Sequence, residues 1–177
     1  MCLYSTVNAQ EFSTEQCLKD LKLAADNANE VSAKILAPQT YKKALAAQGK
    51  ANSSSKKAKY ICEQAKKSSL YFRSATENAK LASQILKNLI LNRRNAIKVN
   101  GPNKYLSKWQ KAERKFVLAN KSIENGNLER AKKLNIEATK DFNEIELLCI
   151  KDELLSEAKL KISLAKKEKA DRYAQIT

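Results

Sequence analysis

Chain-breaking residues are nearly absent from this sequence, with 3 glycines and 2 prolines in 177 residues. The tight reversals of an all-β fold draw on Gly, Pro, Asn and Asp at positions of special backbone geometry. A chain with so few breakers cannot make the many reversals that sheets require. Ala, Leu, Lys, Glu and Gln are frequent, and all are good helix formers. The expected class is all-α: an elongated helical bundle, or repeated long helical hairpins with coiled-coil-like packing. Aromatic residues make up only 6% of the chain, so Ala, Leu and Ile must build most of the core.

The few breakers then divide the chain. Residues 1–12 read as a flexible tail, 13–101 as a first helical unit and 102–177 as a second. Ser13 with Gln16 fits a capping box, in which the serine oxygen accepts a backbone N–H and the glutamine reaches back. Leu18, Leu21, Ala25, Ala28 and Val31 follow at helical spacing, and the helix is expected to run to about Leu36. A second helix is expected from Pro38, with a turn placed near Gly49 and 52–55; a kinked continuous helix is the alternative. A long helix is expected from about Ser55 to Ile97, lined by Ile61, Ala65, Leu70, Phe72, Ala75, Ala79, Ala82, Leu86 and Leu89. Further helices are expected over about 103–123 and from Leu128 to about Arg172, separated by the turn "ENGN". The last carries Leu134, Ala138, Phe142, Ile145, Leu148, Leu155, Ala158, Ile162 and Ala165.

Both prolines have a tyrosine three residues on: Pro38 with Tyr41, and Pro102 with Tyr105. Proline is tolerated at the first helical position, where its missing N–H is not needed. With Pro38 there, Leu36 and Tyr41 take the spacing of a hydrophobic staple. Gly101 and Pro102 form the second corner. The junctions after each turn align at Ala58 and Ala131, which makes a two-unit repeat. "ADRYAQIT" at 170–177 echoes "AKILAPQT" at 33–40, as though a third corner begins where the chain stops, in a fragment or an open-ended array.

The pattern "A…AP..Y..A", then a glycine-containing turn and a helix with alanine every three or four residues, resembles a bacterial envelope domain family of unknown function. The resemblance covers about residues 20–175. Members often follow a lipoprotein signal and precede an outer-membrane-protein-A-like peptidoglycan-binding domain. It implies a helical, non-enzymatic envelope protein and transfers no catalytic residue. This chain departs in being rich in lysine, and no peptidoglycan-binding domain lies within the 177 residues.

Chemistry-bearing patterns are scarce. There is no histidine, no phosphate-binding glycine loop and no CxxC spacing, so no catalytic, cofactor or metal residue is expected. Cys17, Cys62 and Cys149 lie among apolar residues and read as small core residues; as disulfide partners, the cysteines could pair in more than one way. Cys2 sits where a bacterial lipoprotein carries its lipid, and such an anchor would be the only route to a membrane. The alternative is an ordinary cysteine in a terminal tail. The net charge is +15, and residues 33–90 hold 12 basic side chains against Glu63 and Glu77. Such a field favours an acidic partner. Tyr71, Arg73 and Trp109 are candidate partner contacts, although Trp109 also suits the core. The expected function is a scaffold or protein-interaction module of the periplasm or outer envelope, contacting protein or acidic wall polymer. The alternatives are a nucleic-acid-binding module, cytoplasmic in location, and a surface lipoprotein acting as an adhesin.

Overall fold

The protein, described by a computed structural model over residues 13–53 and 56–174, contains eight helices and no strand among these residues. They are α1 (Thr14–Glu30), α2 (Ala33–Leu36), α3 (Pro38–Ala51), α4 (Ala58–Ile85), α5 (Lys87–Lys98), α6 (Gly101–Lys104), α7 (Leu106–Glu124) and α8 (Leu128–Ala174). The all-α expectation is met. The chain forms two compact units, one of residues 1–85 with 120–128 and one of 86–119 with 129–177. This division does not follow the expected boundary after Gly101. Its first unit closes on the α7–α8 turn, because Glu124 accepts hydrogen bonds from the start of α3.

In the first unit α1, α3 and α4 run up, down and up. Cys17 meets Cys62 near the start of α4, while Thr40 at the start of α3 meets Asn78 near its end. Ser13 caps α1, its Oγ accepting from the Gln16 N–H at 3.2 Å. The reciprocal half of the expected box is not made, because the Gln16 amide donates instead to Asp20 at 2.8 Å. The buried face of α1 is Cys17, Leu21, Ala24 and Ala28, one step round from the expected stripe, and Leu18 is exposed. On α4, Leu70 is 65% exposed, and Ser68 and Ser69 lie buried beside it. Both serines are satisfied by backbone carbonyls, Ser68 Oγ donating across to Ala44 O at 2.8 Å and Ser69 Oγ to Ala65 O at 2.9 Å. A small hydroxyl here admits the close approach of α3 to α4 that a leucine would block.

The second unit repeats this path with α5, α7 and α8. Lys108 pairs with Glu144 at 2.5 Å and Lys115 with Asp141 at 2.8 Å, which sets α7 antiparallel to α8. The expected helix over 55–97 is broken at Leu86, whose φ of −101° and ψ of 19° end α4 and start α5. Leu86 and Leu89 are both fully buried across the break. The last helix keeps its expected span, but its stripe divides. Ala138, Phe142, Ile145 and Cys149 are buried, whereas everything from Ile150 to Lys169 is exposed.

The units are joined to their middle helices by matching corners. Ser32 and Asn100 adopt left-handed backbone, with φ of 57° and 63°. Each is followed by a four-residue helix, α2 or α6, and then by a non-helical residue, Ala37 (φ −137°, ψ 58°) or Tyr105 (φ −131°, ψ 54°), that precedes the next long helix. The hydrogen bonds agree one for one: Leu36 N to Ser32 O and Lys104 N to Asn100 O, Ala37 N to Ala33 O and Tyr105 N to Gly101 O, Tyr41 N to Ala37 O and Trp109 N to Tyr105 O. The repeat is therefore real, and its register is 68 residues here, from Ser32 to Asn100. The two prolines are not equivalent. Pro38 is the first residue of α3, as expected, whereas Pro102 is the second of α6. The counterpart of Tyr41 is Trp109, not Tyr105. Along α4 and α8 the register is 70, from Phe72 to Phe142, so Ala58 corresponds to Leu128 and the expected match with Ala131 is displaced.

Two glycines test this packing in opposite directions. A Cβ on Gly101 would stand 2.6 Å from Ile145 Cγ2 and 2.7 Å from Ala96 O. Gly49, inside α3, has nothing within 4 Å of such an atom. Urea denaturation of Gly101→Ala is expected to show a loss of about 1–3 kcal/mol from overpacking. The same measurement on Gly49→Ala is expected to show a gain of about 0.5–1 kcal/mol from helix propensity.

Candidate interaction surface

The corner residues named from sequence are mostly structural. Leu36 and Tyr41 are buried on either side of Pro38, in the frame expected of a staple. The Tyr41 hydroxyl donates to Asn29 Oδ1 at 2.6 Å, and its ring meets Phe72 edge-on at 5.4 Å. Trp109 does the same in the second unit, meeting Phe142 at 5.0 Å. Arg93 lies over Trp109 and Phe116, at 5.6 and 5.1 Å from the ring centres, and is held there by its ion pair with Glu113. Trp109 is thus half-buried core with a cation above it, rather than a free anchor for a partner. Gly101 is buried, Pro102 half-buried, and Cys2 lies outside the described residues.

Three features escaped the sequence reading. Cys17 and Cys62 form a disulfide, with their α-carbons 5.3 Å apart and 45 residues between them in sequence. The default expectation of two buried free thiols is corrected by position: Cys17 faces inward from α1 directly opposite the first turns of α4. Such a loop stabilises by about 4 kcal/mol through the reduced entropy of the unfolded chain. Cys149 is buried and free, and burial pushes its thiol up from its ordinary range. The second feature is Glu124. The N-cap of α3 is Ala37, which has no side-chain acceptor, and Pro38 has no N–H. The next two N–H groups, of Gln39 and Thr40, donate to the Glu124 carboxylate at 3.2 and 2.7 Å. A carboxylate at a helix N-terminus both satisfies these donors and opposes the positive end of the helix dipole.

The third feature is Tyr105. Its hydroxyl donates to Asp152 Oδ2 at 2.5 Å, and this bond, with desolvation and the carboxylate charge, pushes its pKa up to about 12.

The most solvent-facing of the candidates is Arg73, with Tyr71 half-buried beside it. Lys59, Lys66, Arg73 and Lys80 recur every seven residues along α4, and all are exposed. At 1.5 Å per residue this is a column of cations about 10 Å apart. Arg73 and Lys80 also edge a groove of 560 Å³ between α1 and α4, whose α1 side supplies Asn27 and Glu30. Among the described residues no group of acidic or cysteine side chains could hold a metal ion, and no helix is long and apolar enough to cross a membrane. The chain matches no family model, no curated protein and no solved structure.

Two measurements follow from this chemistry. Glu124→Ala is expected to lower stability by about 1–2 kcal/mol in urea denaturation, and Glu124→Gln by less, since the amide still accepts. Tyrosinate absorbance should show one tyrosine ionising near 12, returning toward the ordinary value of about 10 in Asp152→Asn. The raised pKa favours the protonated phenol in the folded state. Its contribution to stability is therefore full below about pH 10 and is lost as pH rises toward 12.

Proposed function

We propose that this protein is a non-catalytic helical scaffold of the bacterial cell envelope, whose exposed helix faces contact an acidic partner. The observation that carries this reading is the recurrence of the corner at Ser32 and Asn100, with the same hydrogen bonds 68 residues apart. A repeated up-down-up unit is a device for spacing and for presenting surface. The polar groups drawn inward serve packing: Glu124 caps a helix, Arg93 pairs with Glu113, and Lys115 with Asp141. The Cys17–Cys62 disulfide supports the compartment, since such bonds form and persist in oxidising surroundings and are rare in the cytosol. The cation column on α4 supports an anionic partner, an acidic wall polymer or an acidic protein face.

Cell fractionation with thiols trapped by alkylation at lysis tests the reading. The expected result is an envelope fraction in which Cys17 and Cys62 resist alkylation until reduced. Recovery in the cytosol with both thiols modified would overturn it. Retention on acidic wall polymer should weaken when Lys59, Lys66, Arg73 and Lys80 are changed together to glutamine, and should fall with salt.

A further inference from the structure

The distal part of α8 has few neighbours: Asp152 accepts from the Tyr105 hydroxyl, and Asp152 to Leu160 edge an open groove beside Lys98, Asn100 and Lys104. From Ile150 to Lys169 every residue is exposed, including Leu154 at 60%, Leu155 at 48% and Ile162 at 56%. A helix in a folded protein draws most of its stability from packing an apolar face, not from propensity alone. The repeat supplies a reason to expect packing here. In the 70-residue register that matches Phe72 to Phe142, the end of α8 stands where α5 stands after α4. Allowing one residue for the break at Leu86, its Leu155, Ala158 and Ala165 correspond to Leu86, Leu89 and Ala96, all fully buried. The distal segment thus carries the inward pattern of the first helix of a unit, with that pattern turned to solvent.

Charge identifies what covers it. Residues 151–157 hold Asp152, Glu153 and Glu157 against one lysine, and 158–169 hold five lysines against Glu168. The sign changes along the helix axis rather than around it. A membrane-surface helix needs the other arrangement, one apolar face and one basic face, and here Leu160 and Leu164 lie on the side opposite Ala158. A helix that is acidic in one half and basic in the other is complementary to itself reversed. We infer that α8 pairs antiparallel with the same segment of a second copy, its apolar seam formed by Leu155, Ala158, Ile162 and Ala165. A two-fold beside Lys159 sets Glu157 of each copy toward Lys161 of the other, while Asp152 stays with Tyr105 of its own chain. Parallel pairing would set acid on acid and lysine on lysine. This pairing does not depend on the compartment or on the anionic partner proposed above.

Sedimentation equilibrium on the full chain, with free thiols alkylated, tests the pairing. A reversible monomer–dimer equilibrium is expected, with Ile162→Glu raising the dissociation constant roughly tenfold or more. Circular dichroism should show the variant folded, as the replaced side chain is exposed. Glu157→Lys should weaken the dimer, and Glu157→Lys with Lys161→Glu should restore it. A protein that stays monomeric at the highest concentrations overturns the inference, whether or not it binds anionic vesicles. A dimer indifferent to Ile162→Glu also overturns it, and failure of the charge exchange to restore association overturns the antiparallel direction.

Discussion

The first reversal of each unit depends on turning a helix round within a few residues without a loop. A non-glycine residue in left-handed backbone costs roughly 1–2 kcal/mol, yet the chain accepts this at both Ser32 and Asn100. The return is geometric. One left-handed residue follows the first helix, a single turn of helix carries the chain across, and one non-helical residue aims the next helix back along the first. The N–H groups at these junctions remain bonded to carbonyls three or four residues back, so the reversal leaves little backbone unsatisfied. Asparagine tolerates this conformation better than most residues, which suits Asn100. Ser32 carries no side-chain cap bond to compensate it, and the packing around Ala33 and Leu36 must hold it in place.

Close packing is the second half of the bargain. The buried faces are mostly alanine, and at the tightest points a hydroxyl or a glycine replaces even that: Ser68 against α3, Gly101 against α8. A core of small residues alone would bury little apolar area, and each unit answers with one aromatic pair at the same level. Tyr41 against Phe72 and Trp109 against Phe142 stand on the fourth residue of the middle helix and the fifteenth of the last. Edge-on aromatic contacts add about 0.5–1.5 kcal/mol beyond their area.

The fold class was readable because scarcity of breakers is a property of the whole chain. The register of the repeat was not. Pro38 and Pro102 attract attention as rare residues, but proline is suited to either of the first two helical positions, and the two occupy different helices of their corners. The equivalent residues are Ser32 and Asn100: asparagine suits a left-handed backbone, but Ser32 gives no local sign of one. Stripe positions failed for a related reason: a leucine such as Leu70 weighs heavily in a periodicity, while the buried Ser68 and Ser69 count against it. The disulfide and the Glu124 cap join residues 45 and 84 or more positions apart, and no periodicity reaches so far. Of the candidate contacts, Arg73 lies at the surface, whereas Trp109 is half-buried against its ring partner Phe142.

The two units solve one mechanical problem differently. The first helix of each unit must be held beside the last helix over its whole length. In the second unit α5 is fixed at its start by continuity with α4 through Leu86, so chain connectivity does the work. In the first, α1 is fixed near its start by the bond from Cys17 to Cys62. By the registers of the repeat, Cys17 and Cys62 correspond to Ile85, the last residue of α4, and to Lys132 on α8, which form no such bond. The covalent link thus appears in the unit whose first helix does not grow out of α4. Seen this way, the distal part of α8 has the connectivity of α5, since it grows straight out of a last helix, but has gained no antiparallel neighbour within the described residues. Its exposed leucines are the remaining unfilled half of a pattern that the chain completes twice.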